Sequence, residues 1–471
     1  YGVMLAYTPL HYMLFKSNGP RFNALVMTSG NMADEPIAAD NAEAFEKLSG
    51  IADFFLLHDR NIYMRVDDAI ARVGSGKTRL LRRSRGYTPN TIMIGEETKD
   101  ILACGAELKS AFCLTKNSHA IMSQHIGDLE NLHAMEFFKE TLKNLKNTFR
   151  AEPKIIAHDM HPDYLSTRFA FEYANAESIP RQMVVPVQHH HAHIASVMAE
   201  HGLNKSVIGI AFDGTGAGLD GTLWGGEFFI TDRRHFERKA HFECVALPGG
   251  KAAIKEPWRM ALSYLKTTFN DGAASEAKRI TGSVGEKKTT AILKMIDARL
   301  NTPLTSSAGR LFDAVSSLIG LCDTLTFEAE AAIELENTAR RAKHKDEKPY
   351  AYSLSVQPDA PMRIDFRPLI RKIMLDLKSG VDKESIALRF HVTLADVILD
   401  ISTRLRTESR INDVALSGGV FQNSLLSGLA QAKLSSAGFN VWLNEQVPAN
   451  DGGVALGQAI VAWESVKKYF C

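Results

Sequence analysis

The 471-residue sequence is poor in cysteine. It has five, Cys104, Cys113, Cys244, Cys322 and Cys471, scattered and with no CxxC pair. An odd, dispersed set excludes a disulfide framework and a zinc ribbon, and implies a reducing, cytoplasmic setting. Cys471 ends the chain and is read as an inert thiol rather than an acceptor group, because thiol reactivity depends on surroundings that lower the pKa. Excess charge of either sign is also missing: the formal net charge is +1. That leaves no bulk attraction for nucleic acid or an anionic membrane. No apolar run reaches the ~20 residues of a membrane span. The opening "YGVMLAYTPLHYMLF" has no basic segment before its apolar one, so it does not read as a signal peptide. It also lacks an initiator Met, and the chain is read as a fragment of something longer. There is no low-complexity segment, and the charged run "ARRAKHKDEKPY" is read as a solvated loop.

Hydrophobic residues make up 45% and charged residues 23%, enough for large cores in two or three domains. From Tyr1 to about Pro89 apolar segments alternate with polar turns. "NALVMTSGN" predicts a buried strand, "NAEAFEKLSG" a helix closed by Gly50, and "RLLRRSRGYTP" a basic strand or loop. "NTIMIGEETKD" is read as a domain junction. Beyond it, "ILACGAELKSAFCLTKNSHAIMSQHIGDL" predicts strand, turn, strand, strand, then a helix from about Asn131 to Phe149. "SVIGIAFDGTGAGLDGTLWGGEFFITD" repeats that order around a Gly-rich turn, which suggests a duplicated architecture. Strands alternating with long helices indicate an α/β fold. "ARVGSGKT" is not a phosphate loop, because Ala71 stands where GxxxxGKT needs Gly.

Four of the five positions from His189 to His193 are histidine, at the start of an apolar helix closed by Gly202. His189 and His193 share one helical face, so two imidazoles can reach one metal. His190 and His191 point elsewhere, as supporting or phosphate-facing groups. Oxygen ligands are offered by Asp213 in "AFDGTGAG" and Asp451 in "PANDGGVALGQAI". His190 and Asp213 are the catalytic candidates. Gly214, Thr215 and Gly216 form a turn whose N–H groups suit phosphate. In "LSGGVFQN", Gly418 and Gly419 would let the backbone approach a flat ligand, and Asn423 either bonds a ribose or base or caps a helix. Asp313, on an apolar helix, needs a partner: ribose hydroxyls or Arg310. In the first region Ser29, Asn31, Arg65 and Arg83 are candidates for nucleotide phosphate recognition, beside Arg82 and Arg85.

These stretches, taken in order, resemble the HypF family of [NiFe]-hydrogenase maturation carbamoyltransferases, over nearly the whole chain. Residues 1–92 resemble the later part of its YrdC-like α/β domain. Residues 98–471 resemble its carbamoyltransferase domain, a two-lobed actin-like ATPase fold. The resemblance implies that the first domain makes carbamoyl-adenylate from ATP and a carbamoyl phosphate-derived substrate. The second then moves the carbamoyl group to the C-terminal Cys of HypE, whose thiocarbamate becomes the cyanide ligand of the hydrogenase iron. It also implies one divalent metal, Fe or Zn with Mg as the alternative, on His189, His193 and Asp451. Asp213 matches a ligand of related enzymes, and Asp313 and Asn423 match nucleotide-contacting positions. The acylphosphatase and CxxC-rich zinc-finger segments of full-length members have no counterpart here. Two other readings are an ATP-binding scaffold without chemistry and a tRNA-modifying transferase; the near-zero net charge gives RNA no broad attraction.

Overall fold

In the computed structural model, residues 2–16, 22–32, 35–343 and 348–470 are described; Cys471 and part of the charged run lie outside them. In the first region, helix α1 (Pro9–Phe15) starts at Thr8, whose side chain accepts the His11 N–H, and α2 (Asn41–Leu48) starts at Asp40, which accepts from Ala42 and Glu43. The second is the helix expected before Gly50. The strand expected in "NALVMTSGN" does not form: residues 24–29 join no ladder. A strand needs a neighbour for its N–H and C=O groups and a cover for its apolar face. Neither reaches Val26, which is 97% exposed. The region closes with a hairpin, β1 (Ile70–Gly74) and β2 (Lys77–Arg82). Its turn residues Ser75 and Gly76 both have positive φ, as a two-residue hairpin turn requires. "ARVGSGKT" is thus a hairpin, as its missing Gly implied.

The stretch read as a junction contains a strand, β3 (Ile92–Thr98). Its alternating apolar residues bury Ile92 and Ile94, and it pairs with β5 (Ile92↔Ala120). The first sheet also holds β4 (Ile101–Ala103), β5 (Cys113–Met122, one strand where two were expected), β6 (Ile155–Asp159) and β7 (Val184–Val187). Their order is β3-β5-β4-β6-β7. Helix α3 (Leu132–Phe149), capped by Asn131, and α4 (Leu165–Ala176) cover it. α5 (His189–Glu200) leads to the second sheet.

That sheet contains β8 (Val207–Ala217), β9 (Leu223–Thr231) and β10 (Phe236–Phe242), then α6 (Ala308–Leu318) and α7 (Lys383–Ser409), then β11 (Asp413–Ser417), α8 (Ser424–Ser436) and β12 (Asn440–Leu443). Its core order is β10-β9-β8-β11-β12, extended beyond β10 by two short strands. In both sheets an antiparallel unit is followed by strands added in parallel. The fold is therefore duplicated and α/β, the two-lobed actin-like arrangement. The last helix, α9 (Val454–Val466), packs on α5. They meet at Gly457, where a Cβ would lie 1.9 Å from the Ala192 carbonyl oxygen. Only glycine permits that approach, and it holds the α9 end of the chain against the histidine helix.

Candidate metal centre and its surroundings

Helix α5 begins where β7 ends. Gln188 caps it, its side-chain oxygen accepting the His191 N–H at 2.9 Å. One turn apart, His189 and His193 bring their rings to 4.8 Å. Asp213 arrives from β8 and Asp451 from the turn before α9. His189 Nε2 lies 3.5 Å from both Asp213 Oδ2 and Asp451 Oδ1; His193 Nε2 lies 3.8 and 3.6 Å from the same atoms. All four donor atoms fall within 4.8 Å of one another. Both Nε2 atoms are buried with no hydrogen-bond partner. Donors ~2.1 Å from a common cation in a tetrahedron stand ~3.4 Å apart, so the spacing fits one ion better than direct hydrogen bonds. Burial alone would lower the His189 pKa, but Asp451, Asp159 and Asp213 outweigh it and hold it well above the usual imidazole value. Burial would raise Asp213 and Asp451, and the facing histidines hold both low.

Sequence reasoning missed Asp159. At the end of β6, its Oδ2 accepts the His189 Nδ1–H at 2.7 Å, with both side chains 1% exposed. This orients the ring so that Nε2 faces Asp213 and Asp451, the arrangement of metal-ligating histidines. The available signal was "KIIAHD", an apolar strand ending in Asp as "IGIAFD" does.

His190 has a different electrical character. Burial pushes its imidazole well below the usual range, and His189, His193 and Arg238 push the same way. Gln188 Nε2 donates to Ala217 O (3.1 Å) and to His190 Nδ1 (3.2 Å). A neutral ring that accepts at Nδ1 carries its proton on Nε2, and that nitrogen is buried and unpaired. His190 is therefore a hydrogen-bond donor rather than a base. Gly216 packs against both rings: a Cβ there would sit 2.5 Å from His190 Cε1. His191 lies apart, bonded to Asp232 O at 2.9 Å.

The Gly-rich segment differs from expectation. β8 continues through it, and the ladder breaks only between Phe212 and Gly216, leaving Asp213, Gly214 and Thr215 as a bulge. Ser307, the cap of α6, donates to the carbonyls of Asp213 (2.7 Å) and Gly214 (2.6 Å). Gly418 and Gly419 serve the same strand: a Cβ on Gly418 would lie 2.2 Å from Phe212 O, and Gly419 N–H donates to Asp213 Oδ1 at 3.0 Å. Their small size admits the Phe212 backbone and the Asp213 carboxylate on this side. Asp313 pairs with Arg310 at 2.7 Å. Asn423 caps α8 through the Leu426 N–H (2.9 Å) and gives its amide to His391 Nε2 (2.9 Å). Both polar ends of Asn423 are thus engaged inside the protein.

In the first region, Ser29 and Asn31 line a cavity of about 680 Å3 together with Arg82, His125 and Gly452, so it runs from that region to the residue beside Asp451. Asn31 also bonds the carbonyls of Met32 and Glu35. Arg65 donates to Ile37 O at 3.4 Å and faces Glu43 at 3.7 Å. Arg83 borders the cavity, and its guanidinium donates to the carbonyls of Gln446 (2.8 Å), Tyr87 (2.9 Å) and Asn90 (2.7 Å), while its Nε is buried without a partner.

Three family models match: a Sua5/YciO/YrdC-type domain (described as telomere recombination) over residues 1–84, the HypF Kae1-like domain over 96–200, and the second subdomain of the carbamoyltransferase Kae1-like domain over 209–458. Carbamoyltransferase HypF of Synechocystis is 39% identical over all of this chain and 60% of its own length. HypF2 of Cupriavidus necator is 37% identical over 98% of this chain and 60% of its own. A solved full-length HypF in a phosphate- and nucleotide-bound form superposes with a TM-score of 0.86 at 43% identity, over 93% of this chain and 67% of that one. HypF of T. kodakarensis gives 0.86 at 34%, over 94% and 57%. The chain spans about three fifths of the length of these curated relatives. On these matches and this fold, the chain belongs to the HypF carbamoyltransferase family.

Proposed function

We propose that the chain transfers a carbamoyl group from carbamoyl-adenylate to the C-terminal Cys thiol of HypE, in the route to the cyanide ligand of [NiFe]-hydrogenase. The observation that carries this reading is the convergence of His189, His193, Asp213 and Asp451 on one point, with two imidazole Nε2 atoms buried and unpaired. Two imidazoles and two carboxylates suit iron or zinc, and Mg suits the nucleotide phosphates. A divalent cation held there supplies Lewis acidity to the carbamoyl carbonyl.

The chain's own residues do the rest. Asp159 keeps the proton of His189 on Nδ1. Neutral His190 offers its Nε2–H to negative charge developing on the carbamoyl oxygen, a contribution that grows in a buried site. The incoming thiolate forms a bond to the carbamoyl carbon, the bond from that carbon to the phosphate oxygen breaks, and AMP departs with the electron pair. No thiol of the described residues is suited to an enzyme-bound intermediate. Burial raises Cys104 far above the thiol range, Cys113 to about 12, and Cys244 and Cys322 to about 11. This supports an acceptor thiol supplied by a partner. The cavity between Ser29 and Gly452 supports passage of the adenylate from the first region to the transferase site. We place this chemistry in the cytoplasm; no helix of the described residues is long and apolar enough to cross a membrane.

A single-turnover assay with a thiol-ended peptide tests the reading. Carbamoyl-adenylate should yield a carbamoylated terminal Cys by mass spectrometry, whereas carbamoyl phosphate alone should yield little. No adduct with the adenylate would refute the proposal.

A further inference from the structure

We propose that Arg83 and Glu200 are positioning residues for Asp451, acting from opposite sides of the segment 444–450; this rests on the metal reading above. The segment joins β12 to Asp451, and each side of its backbone is held by a buried polar side chain.

Glu200, the last residue of α5, accepts the N–H groups of Glu445 (2.7 Å), Gln446 (2.7 Å) and Val447 (3.2 Å). From the other side, Arg83 donates to Gln446 O at 2.8 Å and Arg79 to Asn444 O at 3.0 Å. Asn450, next to Asp451, donates to Leu81 O at 3.1 Å. The side chain of Asn444 reaches Ser196 (3.0 Å) and Ser417 (2.7 Å). Glu200 is 8% exposed and Arg83 6%. Hydrogen bonds to charged groups at such burial are the strong kind, and removing one partner leaves the others unpaired.

The arrangement has a geometric consequence. Helix α5 carries His189 and His193 on its first turns and grips, through its last residue, the segment that delivers Asp451. One rigid element thus sets the separation between two donors and a third. Arg79 and Leu81 come from the hairpin of the first region and Arg83 follows it directly, all within the stretch matched by a separate family model over residues 1–84. The transferase centre therefore has its full geometry only while that hairpin is docked. A metal site tolerates only ~0.5 Å of misplacement, so freeing the segment weakens the centre without touching a ligand.

The test measures Zn2+ affinity by chelator competition and deuterium exchange at the amides of residues 445–447, in the full chain. Arg83→Ala should weaken Zn2+ binding ~10–100-fold, the range for lost outer support, and speed exchange at those amides. Glu200→Gln, which keeps the shape but turns one acceptor oxygen into an amide donor, should shift both in the same direction by less. Asp376→Asn is the control. It disturbs a buried cluster with Tyr350, Lys372 and Arg389 that makes none of these contacts. It should lower the melting temperature and leave both readouts unchanged. Parent-like affinity and exchange in Arg83→Ala and Glu200→Gln would overturn the proposal, as would equal loss in Asp376→Asn. A parent that binds no Zn2+ would overturn the metal reading itself, while the exchange pattern still reports on the segment.

Discussion

Replacing Asp159 by Asn perturbs the centre through a single atom pair. In the parent, Asp159 Oδ2 accepts the His189 Nδ1–H at 2.7 Å in a region with 1% exposure on both sides. Asn cannot reproduce this without choosing between two poor options. With its oxygen toward His189 it keeps the tautomer but loses the charge that raises the basicity of Nε2. With its amide toward His189 it drives the ring proton to Nε2, aimed at Asp213 and Asp451, and removes the lone pair. Losing such support costs 10–100-fold in metal affinity, which is ~1.4–2.8 kcal/mol. Asp159→Asn should therefore raise the Zn2+ Kd ~10–100-fold while far-ultraviolet circular dichroism stays parent-like. Chelator competition at fixed pH reads the Kd, with Asp163→Asn, an exposed acid nearby in sequence, as the control. An unchanged Kd in a folded Asp159→Asn protein would refute the assignment of Asp159 as the group that orients His189.

Gly216→Ala should cost ~1–3 kcal/mol of stability by overpacking and lower carbamoyl transfer, because the added Cβ meets His190 Cε1 at 2.5 Å; thermal melts and the single-turnover assay check both. His391 predicts an acid-side effect. Burial pushes it down to about 4, and its Nε2 accepts from Asn423. Because the unfolded chain takes that proton first, stability should fall as pH drops from 6.5 toward 4, by ~1.4 kcal/mol per unit from this group. His391→Gln should show a smaller loss of melting temperature between pH 7 and pH 5 than the parent, and an equal loss would contradict the coupling. Asn423→Ala should cost ~1 kcal/mol of stability through its cap, read by denaturant unfolding.

What could be read in advance was chemistry with a local signature. His189 and His193 are four apart, and helical geometry alone puts them on one face. Asn131 before an apolar-periodic run marked the start of α3 within one residue. Asp213 and Asp451 were visible as acids at Asp-Gly turns, although only the two-lobed fold brings residues so distant in sequence together. The rest was not legible because a residue's partner is set by tertiary structure. Arg83 meets three backbone carbonyls that no local pattern announces. Gly418 lies against the Phe212 backbone. "NTIMIGEETKD" forms a strand because β5 offers it a ladder, and "NALVMTSGN" joins no ladder among the described residues. Asp159 was overlooked because one acid at a strand end carries no spacing pattern.

The proposed chemistry depends on one metal held by His189, His193, Asp213 and Asp451. Elemental analysis after equilibrium dialysis against Fe2+ or Zn2+ decides it, on the parent, His190→Ala, His189→Ala and His193→Ala. The expected result is one ion per chain in the parent, near-parental content in His190→Ala, and strong loss in His189→Ala and His193→Ala. Equal metal content in all four proteins would contradict it.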